Sequence, residues 1–217
     1  MSDLHKKPLR DKIVDYVYDA IVNEEYKKKM QIREAHLANK LKVSRAPVRE
    51  ALAQLVSIGI LEHVERKGVF VKEITSKDIF DTYEAKGVVE GFLASNFALY
   101  ATQEDMDLLQ HYVFLMSKSV NDSKKVVKIG ELFHKHYLKY AKNFVFLETL
   151  ERINKLSQIL FFRNWTKLYT LDEITNRHQK IVDAVKSRNK KQIEEVIREH
   201  YFETGTKIIL LREIEKQ

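Results

Sequence analysis

The sequence predicts a mostly α-helical protein of two domains, a small N-terminal one that ends in a β-hairpin and an all-helical C-terminal one. Glycine and proline are scarce, at 6 and 2 of 217 residues, so most of the chain is expected in regular structure with short connections. Apolar residues recur at helical spacing, and this spacing changes to strand alternation only between residues 61 and 73. A chain of this length can bury a core in each of two modest domains.

The composition excludes several kinds of site. There is no cysteine, which excludes disulfides, thiolate catalysis and cysteine-bound zinc or iron–sulfur clusters. Apolar runs fall far short of the roughly 20 residues that a bilayer span needs. Residues 1–10 contain no apolar core of a signal peptide. These features lead us to expect a cytoplasmic protein with no membrane partner.

Positive charge is concentrated in the first third of the chain. The net charge is +7; residues 1–74 hold 15 Lys and Arg against 11 Asp and Glu, and residues 75–217 hold 23 against 20. Per residue, the first segment is therefore about three times as positive as the second. A solvated lysine-rich surface would explain this positive charge, and so would a surface that binds nucleic acid.

Three helices and a hairpin are predicted for residues 1–74. The apolar spacing of Ile13, Val17 and Ile21 gives the first helix, and the second begins near Ile32 and buries its leucines, including Leu41. Alternating residues then indicate two short strands. The predicted helices lie at about residues 10–23, 32–41 and 45–58, and the strands at 61–64 and 69–73.

The third helix is predicted between Ser44 and Gly59. Ser44 is a good N-cap residue, whose hydroxyl is expected to accept a hydrogen bond from the amide of Ala46. Val48 and Leu52, together with Ala51 and Leu55, form the expected buried side. Glycine suits the left-handed position that ends many helices. The order of three helices and a hairpin is that of a winged helix-turn-helix.

The exposed side of this third helix carries two arginines. Arg45 and Arg49 stand one turn apart and opposite the apolar side, so packing the core presents both guanidinium groups outward. This arrangement fits a recognition helix, whose N-terminal residues enter the major groove and bind guanine. Ser44 and the helix N-terminus would then bind phosphate. Contacts with the DNA backbone are expected from the turn of the hairpin, at Arg66, Lys67 and Gly68.

The segment "IREAHLANKLKVSRAPVREALAQLVSIGILEHVERKGVFV" resembles the winged helix-turn-helix of the GntR family of bacterial transcription regulators. The resemblance implies DNA contacts at Ser44, Arg45, Arg49 and the wing tip. Ala46 stands where the family often has threonine, which removes a hydroxyl contact. The matching positions are Glu34, Leu37, Ala38, Leu41, Val43, Ser44, Arg45, Pro47, Val48, Arg49, Glu50, Ala51, Leu52, Leu55, Gly59, Gly68 and Val71.

Residues 75–217 are predicted to form a bundle of six to seven helices. The domain boundary falls near residue 74, and polar residues such as Ser76, Thr102, Ser123 and Asn189 mark helix starts. The expected helices lie near residues 76–98, 103–119, 124–142, 144–164, 172–187 and 190–214. A bundle attached to a DNA-binding domain indicates a role in dimerisation, in ligand sensing, or in both.

Three histidines are the candidate ligands in this bundle. His134, His178 and His200 lie on separate predicted helices, and such wide spacing is not itself a metal-binding motif. Their surroundings resemble the FadR-like branch of the GntR family, which has an all-helical FCD sensor domain. That resemblance implies a divalent metal held by three histidines and an aspartate, with a small organic acid bound beside or on it. The matching residues are Phe133, His134, Asn143, His178, Ile181, Ala184, Val185 and His200.

The sequence departs from this pattern at two places. Gly130 stands where the family has the metal-binding aspartate, and Glu131 is the nearby carboxylate that could reach the same side. Three imidazoles can still bind Zn²⁺ or Ni²⁺, with water in the remaining positions. Lys86, four residues before Glu90, replaces a family arginine; it is either an effector-binding cation or one half of a surface ion pair.

The sequence therefore predicts a homodimeric, ligand-responsive transcription regulator, most simply a repressor, that binds palindromic operator DNA. A small carboxylate effector, with zinc or nickel, is expected to change the separation or orientation of the recognition helices. One alternative is an architectural DNA-binding protein whose bundle only dimerises. The other is a three-histidine metalloenzyme with Glu131 as its general base.

Overall fold

The structure is a computed structural model that describes residues 7–120 and 122–215 of the chain; the first six residues, part of the segment without a signal-peptide core, lie outside the described residues. The chain divides into two compact units, with Ile74 ending the first and Thr75 beginning the second. The predicted fold class is confirmed: the chain is mostly helical with one small sheet. None of the described helices combines the length and apolar character that a bilayer crossing requires.

The elements of the first unit are α1 (Leu9–Val22), β1 (Gln31–Ile32), α2 (Glu34–Leu41), α3 (Arg45–Ile58), β2 (Leu61–Val64) and β3 (Gly68–Val71). The elements of the second unit are α4 (Ser76–Tyr100), α5 (Gln103–Ser117), α6 (Ser123–His136), α7 (Phe144–Leu168), α8 (Leu171–Ser187) and α9 (Lys190–Ile214).

The core of the first unit forms where the apolar sides of α1, α2 and α3 meet the sheet. The predicted buried side of α3 is confirmed, but Leu41, which we expected to be buried, is only half-buried at the end of α2. Burying these side chains is the main contribution to the stability of the unit. The buried core residues are Ile13, Val14, Val17, Ala20, Ile21, Ile32, Leu37, Ala38, Val48, Ala51, Leu52, Leu55, Ile60, Leu61 and Val71.

The sheet contains a strand that the sequence did not predict. β2 and β3 form the expected antiparallel hairpin, and β1 pairs with the other edge of β3, where Gln31 lies opposite Phe70 and Ile32 opposite Val69. The predicted second helix therefore does not begin at Ile32; α2 begins at Glu34. Two residues are too short a run to show strand alternation, and only the presence of β3 gives them a partner.

Glycines allow two of the long helices of the second unit, α4 and α9, to lie against each other. A Cβ atom at Gly87 would stand 3.1 Å from the Cα of Arg198 on α9. A Cβ atom at Gly205 would stand only 2.9 Å from the Cβ of Tyr83 on α4. A larger side chain would push these backbones apart, so the glycines set the close packing of the two helices.

Polar side chains at the helix starts of the second unit accept hydrogen bonds from otherwise unpaired amides. Helices α4, α5 and α8 begin with reciprocal capping boxes, whose threonines are Thr75, Thr102 and Thr170. Thr75, rather than the predicted Ser76, therefore caps α4. The residues that cap α6, α7 and α9 are Asp122, Asn143 and Asn189.

Helix α6 ends at His136, earlier than the predicted residue 142. The chain then makes a turn, whose tyrosines bond to other helices: the hydroxyl of Tyr137 donates to Glu90, and that of Tyr140 donates to Asp105 at 2.8 Å. These bonds to α4 and α5 hold the turn, so long-range contacts decide where α6 ends. The next helix, α7, runs to Leu168 rather than to 164.

Candidate nucleic-acid interface and candidate metal centre

The N-terminus of α3 has the exposed groups that a DNA contact requires. Ser44 occupies the N-cap position with extended backbone, but its side chain makes no capping hydrogen bond, so the predicted bond to the amide of Ala46 is wrong. The first amides of a helix have no acceptor within the helix. Because the serine hydroxyl does not satisfy them, these amides and the exposed hydroxyl are available to an anion.

Both arginines of α3 lie on its exposed side, as packing of the opposite side requires. Val48 and Leu52 are buried, while Arg45 and Arg49 are exposed. The Nη2 atom of Arg49 lies 3.2 Å from a carboxylate oxygen of Glu34 on α2, and this hydrogen-bonded pair raises the pKa of Arg49. The arginine side chain remains 71% exposed. Because exposed ion pairs are weak, Arg49 can exchange this partner for a nucleotide.

The turn between β2 and β3 presents the predicted wing residues to solvent. Arg66 has a left-handed backbone with φ of 61° and a side chain that is 91% exposed, and Lys67 is exposed beside it. Gly68 is the first residue of β3 and has φ of 102°, a conformation that favours glycine. The side-chain amide of Gln31 donates to the backbone carbonyl of Lys67 at 2.5 Å, so β1 supports the tip of the wing.

The structure brings the three predicted histidines together inside the second unit. His134 comes from α6, His178 from α8 and His200 from α9, and one ring nitrogen of each lies within 4.8 Å of the others. The ring centroids are 5.1–5.2 Å apart. Among the described residues, the group of potential ligands at this point consists of these histidines alone.

Hydrogen bonding determines which nitrogen of His178 faces the cluster. Its Nδ1 lies 2.7 Å from the carbonyl oxygen of Ile174, and a carbonyl can only accept, so Nδ1 carries the proton. The lone pair is therefore on Nε2. This atom is buried and makes no hydrogen bond with the described residues, and the same is true of Nδ1 of His200. Buried polar atoms of this kind normally have a partner, so the geometry fits a bound metal ion.

A carboxylate and two tyrosines orient His134 in the same way. The hydroxyls of Tyr137 and Tyr201 both donate to Oε2 of Glu90, the second at 2.6 Å. Their oxygens can then only accept from Nδ1 of His134, which lies 2.5 Å from Tyr137 and 2.9 Å from Tyr201. The proton of His134 is thus on Nδ1 and its lone pair on Nε2, which is the tautomer of a metal ligand whose other nitrogen bonds a carboxylate network.

Burial keeps the imidazoles of His178 and His200 neutral. It lowers the pKa of His178 to about 3, and the nearby His134 adds to this effect. It also lowers the pKa of His200 to well below the ordinary value, with Arg177 contributing further. Both rings are therefore neutral at neutral pH, so their lone pairs are available without loss of a proton.

Lys86 and Glu90 form a buried ion pair rather than a surface one. Burial raises the pKa of Glu90, but Lys86, His134 and Tyr137 together outweigh it and lower that pKa to about 2. The Nζ atom of Lys86 lies 3.5 Å from Glu90 and donates to Oγ of Ser157 at 3.1 Å. It also lies 4.9 Å from the centre of the Tyr201 ring. Lys86 therefore belongs to the buried network around Glu90 and also lines the cavity.

The histidines open onto a cavity of about 600 Å³ within the second unit. Its polar lining residues include Lys86, Glu131 and Arg177, and its apolar lining residues include Leu150 and Phe161. Glu131, which we considered as a fourth ligand, lines this cavity but does not belong to the group of potential metal ligands.

Gly130 faces the same cluster from α6. A Cβ atom there would stand 3.9 Å from Nε2 of His178, which is ordinary contact. A side chain at this position would therefore point towards the histidines. Because glycine occupies it, α6 contributes no carboxylate at this point.

Sequence reasoning did not assign a function to Arg177. Its guanidinium is mostly buried, forms an ion pair with Glu203 and donates to Oγ1 of Thr204 at 2.9 Å. It lies 4.4 Å from the centre of the Tyr169 ring and lines the cavity. The available signal was an arginine directly before a candidate histidine on the same helix, which is too common a pattern to indicate a site.

Comparison with known families and proteins matches both units. The model described as "Bacterial regulatory proteins, gntR family" matches residues 9–71, and the FCD domain model matches residues 81–203. The chain is 24% identical over 184 residues to the uncharacterized HTH-type transcriptional regulator YdhC of Bacillus subtilis (strain 168), covering 83% of this chain and 82% of the relative.

Two further similarities cover nearly the whole chain. The probable D-xylose utilization operon transcriptional repressor of Paenarthrobacter nicotinovorans is 22% identical over 206 residues, which is 92% of this chain and 90% of that protein. The solved structure of McbR/YncC from E. coli has a TM-score of 0.74 at 16% identity, covering 95% of this chain and 100% of that one. At this identity, the structural likeness shows a shared fold.

Proposed function

The chain belongs to the gntR family of bacterial regulatory proteins and carries an FCD domain, and on this premise we propose that it is a repressor controlled by a small carboxylic acid. We infer that it binds palindromic operator DNA as a homodimer and that the acid, with Zn²⁺ or Ni²⁺, lowers its DNA affinity. The observation that carries the proposal is the histidine cluster at the edge of a 600 Å³ cavity, where Nε2 of His178 and Nδ1 of His200 are buried and make no hydrogen bond with the described residues. Members of the family are transcription regulators rather than enzymes, so the metalloenzyme alternative is not retained.

The proposed DNA contacts are those of α3 and the wing. The exposed guanidinium groups of Arg45 and Arg49 reach base edges in the major groove. Ser44 and the first amides of α3 bind a phosphate, beside the small side chain of Ala46, and the wing residues Arg66 and Lys67 add backbone contacts. One such unit reads a short half-site, and a dimer reads two half-sites about one helical turn apart, which is why a palindromic operator is expected.

The proposed metal centre consists of His134, His178 and His200. The Nδ1 atoms of His134 and His178 are hydrogen-bonded, as is usual for the second nitrogen of a metal-binding imidazole. Three imidazoles suit Zn²⁺ and Ni²⁺, and a bound ion would supply positive charge for a carboxylate. Lys86 and Arg177 add positively charged groups to the lining of the cavity. The presence of this cavity also argues against a bundle that only dimerises. We propose repression rather than activation because the probable D-xylose utilization operon repressor is similar to this chain over nearly its full length.

The effector acts by shifting populations. It lowers DNA affinity only to the extent that it binds more tightly to the arrangement that does not bind DNA. By linkage, operator DNA weakens effector binding by the same factor.

The DNA contacts are tested with an operator selected from a random duplex library by the parent protein. We expect Arg49→Ala to weaken operator binding by about 5- to 100-fold in a gel-shift titration, as loss of one bidentate base contact would. The urea midpoint and the dimer mass should not change, because this side chain is exposed. Lys191→Ala, which removes one exposed positive charge from α9, is the matched control. Operator binding by Arg49→Ala equal to that of the parent would refute these contacts.

The sensor is tested by thermal shift with Zn²⁺, Ni²⁺ and a panel of small carboxylates. Ligands that bind only the folded state raise the midpoint, and His178→Ala should abolish the rise caused by metal while retaining operator binding. His111→Ala, which changes an exposed histidine on α5, is the control. If neither metal stabilises the parent protein, the metal part of the proposal is wrong.

A further inference from the structure

Sequence reasoning gave no function to Arg33, an exposed residue of the first unit. It is the N-cap residue of α2 and makes no side-chain capping bond. Arginine is a poor choice at this position, because short polar side chains cap helices better and a positive charge is unfavourable at a helix N-terminus. Among the described residues, it forms no ion pair with a carboxylate. The side chain therefore does not stabilise its own helix.

Strand β1 brings Arg33 to the tip of the wing. β1 is antiparallel to β3, and Ile32 lies opposite Val69. The next residue, Arg33, therefore stands at the level of Gly68, where the turn of the wing ends. It lies beside the exposed cations of the wing tip, although more than 30 residues separate them in the chain.

The side chain of Gln31 bonds both Arg33 and the wing tip. Its Oε1 accepts from Nε of Arg33 at 3.2 Å, and its Nε2 donates to the carbonyl of Lys67 at 2.5 Å. The reverse orientation of the amide would place two donors together at one end and two acceptors at the other, so these partners fix its orientation. A Cβ atom at Gly68 would stand 3.3 Å from Nε2, so the glycine leaves room for the amide.

The bond from Gln31 holds the backbone of the wing tip from a second side. The amide of Lys67 already donates to the carbonyl of Val64 at 3.0 Å across the turn. Between these two residues, Arg66 has a left-handed φ of 61°, which is unfavourable for a residue with a side chain. Because Gln31 also fixes the carbonyl of Lys67, the directions in which both cations leave the backbone are set.

We propose that Arg33 contacts the DNA backbone and that Gln31 is the positioning residue that holds it with the wing tip, so that Arg33, Arg66 and Lys67 bind phosphates together. This inference rests on the proposed function, in which the wing contacts DNA. Only Nε of Arg33 is bonded to Gln31, so its two terminal nitrogens are available for the bidentate contact that arginine makes with phosphate. Contacts of this kind place a protein on the duplex without reading its sequence.

The first test compares stability with DNA binding for Arg33→Ser in the full-length protein. Serine is a better N-cap residue and removes the unfavourable charge, so the urea midpoint should rise. Loss of one phosphate contact should nevertheless weaken binding to the selected operator by about three- to tenfold. It should also lower the slope of log affinity against log NaCl concentration by about one. A residue with only a structural role would not change this slope.

Lys27→Ser is the control for loss of charge. It removes an exposed cation of the same unit, from the segment that joins α1 to β1. In this segment the amide of Lys29 bonds the carbonyl of Val71, at the end of β3 remote from the wing tip. The salt slope should therefore equal that of the parent.

The second test removes both bonds of the positioning residue without changing the net charge. Gln31→Met should weaken operator binding by about three- to tenfold and lower the salt slope, because the cations are no longer held. In a variant that lacks all three cations (Arg33→Ser, Arg66→Ala, Lys67→Ala), the same change should matter less than about twofold, because the residues that it positions are gone. Gln103→Met, which changes an exposed glutamine of α5 that also donates a side-chain hydrogen bond, is the control.

The outcomes separate this inference from the proposed function. Unchanged operator affinity and salt slope in Arg33→Ser, with weaker binding by Arg49→Ala, overturn the inference and leave the contacts of α3. An equal fall of the slope in Lys27→Ser overturns it, and so does an undiminished effect of Gln31→Met in the variant without the three cations. Operator binding by Arg49→Ala equal to that of the parent overturns the proposed DNA interface and this inference with it. If Gln31→Met does not fold, the salt slope of Arg33→Ser decides alone.

Discussion

The two units each contain an ion pair between a glutamate and a cation, and the two pairs differ in their access to water. In the first unit, Arg49 is 71% and Glu34 33% exposed. In the second unit, Lys86 is 10% and Glu90 1% exposed. Water screens the first pair, so Arg49 can leave Glu34 and bind a group of a ligand instead. The second pair has no such alternative and is part of the network that orients His134.

Because of this difference, the exposed charged residues of the first unit should affect binding without contributing much to stability. The buried polar residues of the second unit should affect both. Charged side chains on α3 can be replaced without disturbing the core, because the residues that pack lie on the opposite side of the helix. Polar side chains around the histidines are buried, so a change there leaves partners without hydrogen bonds. We therefore expect substitutions on the exposed side of α3 to change DNA binding alone, and substitutions near the cavity to change stability as well.

The largest expected effect is that of Glu90→Gln. This change leaves Lys86 buried without a counterion and weakens the acceptor of Tyr137 and Tyr201, so the free energy of unfolding should fall by about 3–5 kcal/mol. Urea denaturation measures it. Glu84→Gln, at an exposed position of the same helix, should have little effect. A fall as small as that of the control would mean that the buried network does not stabilise the unit.

A smaller effect is expected where only packing changes. Gly205→Ala places a methyl group 2.9 Å from the Cβ of Tyr83, next to the backbone, and should lower the free energy of unfolding by about 1–3 kcal/mol. Gly130→Ala meets only ordinary contacts and should instead raise it by about 0.5–1 kcal/mol, because alanine favours helix. The two midpoints should therefore move in opposite directions in thermal unfolding. Equal shifts would show that close packing of α4 and α9 is not what requires Gly205.

The pH dependence of the metal-free protein tests the burial of the histidines. The pKa of His178 is about 3 in the folded protein, against an ordinary value of 6.5, so between these values the unfolded chain binds more protons. Stability is therefore fully present above pH 6.5 and is lost as pH falls, by up to about 1.4 kcal/mol per pH unit for this residue.

Urea denaturation between pH 5 and 7 in the presence of a chelator measures this slope. His178→Gln should flatten it, although the variant is also less stable at every pH. His111→Gln, on the exposed side of α5, should leave the slope unchanged. A slope unaffected by His178→Gln would place the titration elsewhere.

The smallest effect on stability is expected for Glu34→Gln. Removing an exposed carboxylate should leave the urea midpoint close to that of the parent, far from the result for Glu90→Gln. Because Arg49 then has no competing partner, operator affinity should rise by about two- to fivefold in the gel-shift assay. Weaker operator binding would show that Glu34 positions Arg49 for DNA instead of competing for it.

The exposed side of α3, which we propose faces DNA, could be predicted because the pattern that specifies it lies within one short stretch of the chain. The residues from Ile32 to Val71 are contiguous, and helical spacing alone decides that Arg49 is exposed when Val48 is buried. Two of the predictions that were wrong in this unit, the start of the second helix and the capping bond of Ser44, concern contacts with other residues rather than the local pattern. β1 exists because β3 pairs with it, and the hydroxyl of Ser44 does not make the expected capping bond.

The sequence by itself determined the order of the elements, the apolar side of each helix, and the identities of the histidines as candidates through family resemblance. Only the tertiary structure decided that one ring nitrogen of each histidine lies within 4.8 Å of the others, that Glu90 is buried beside His134, and that Gly130 lies close to His178. The physical reason is that periodicity specifies which side of an element avoids water, but not which other element will cover it. Contacts between helices far apart in the chain follow from packing the whole unit.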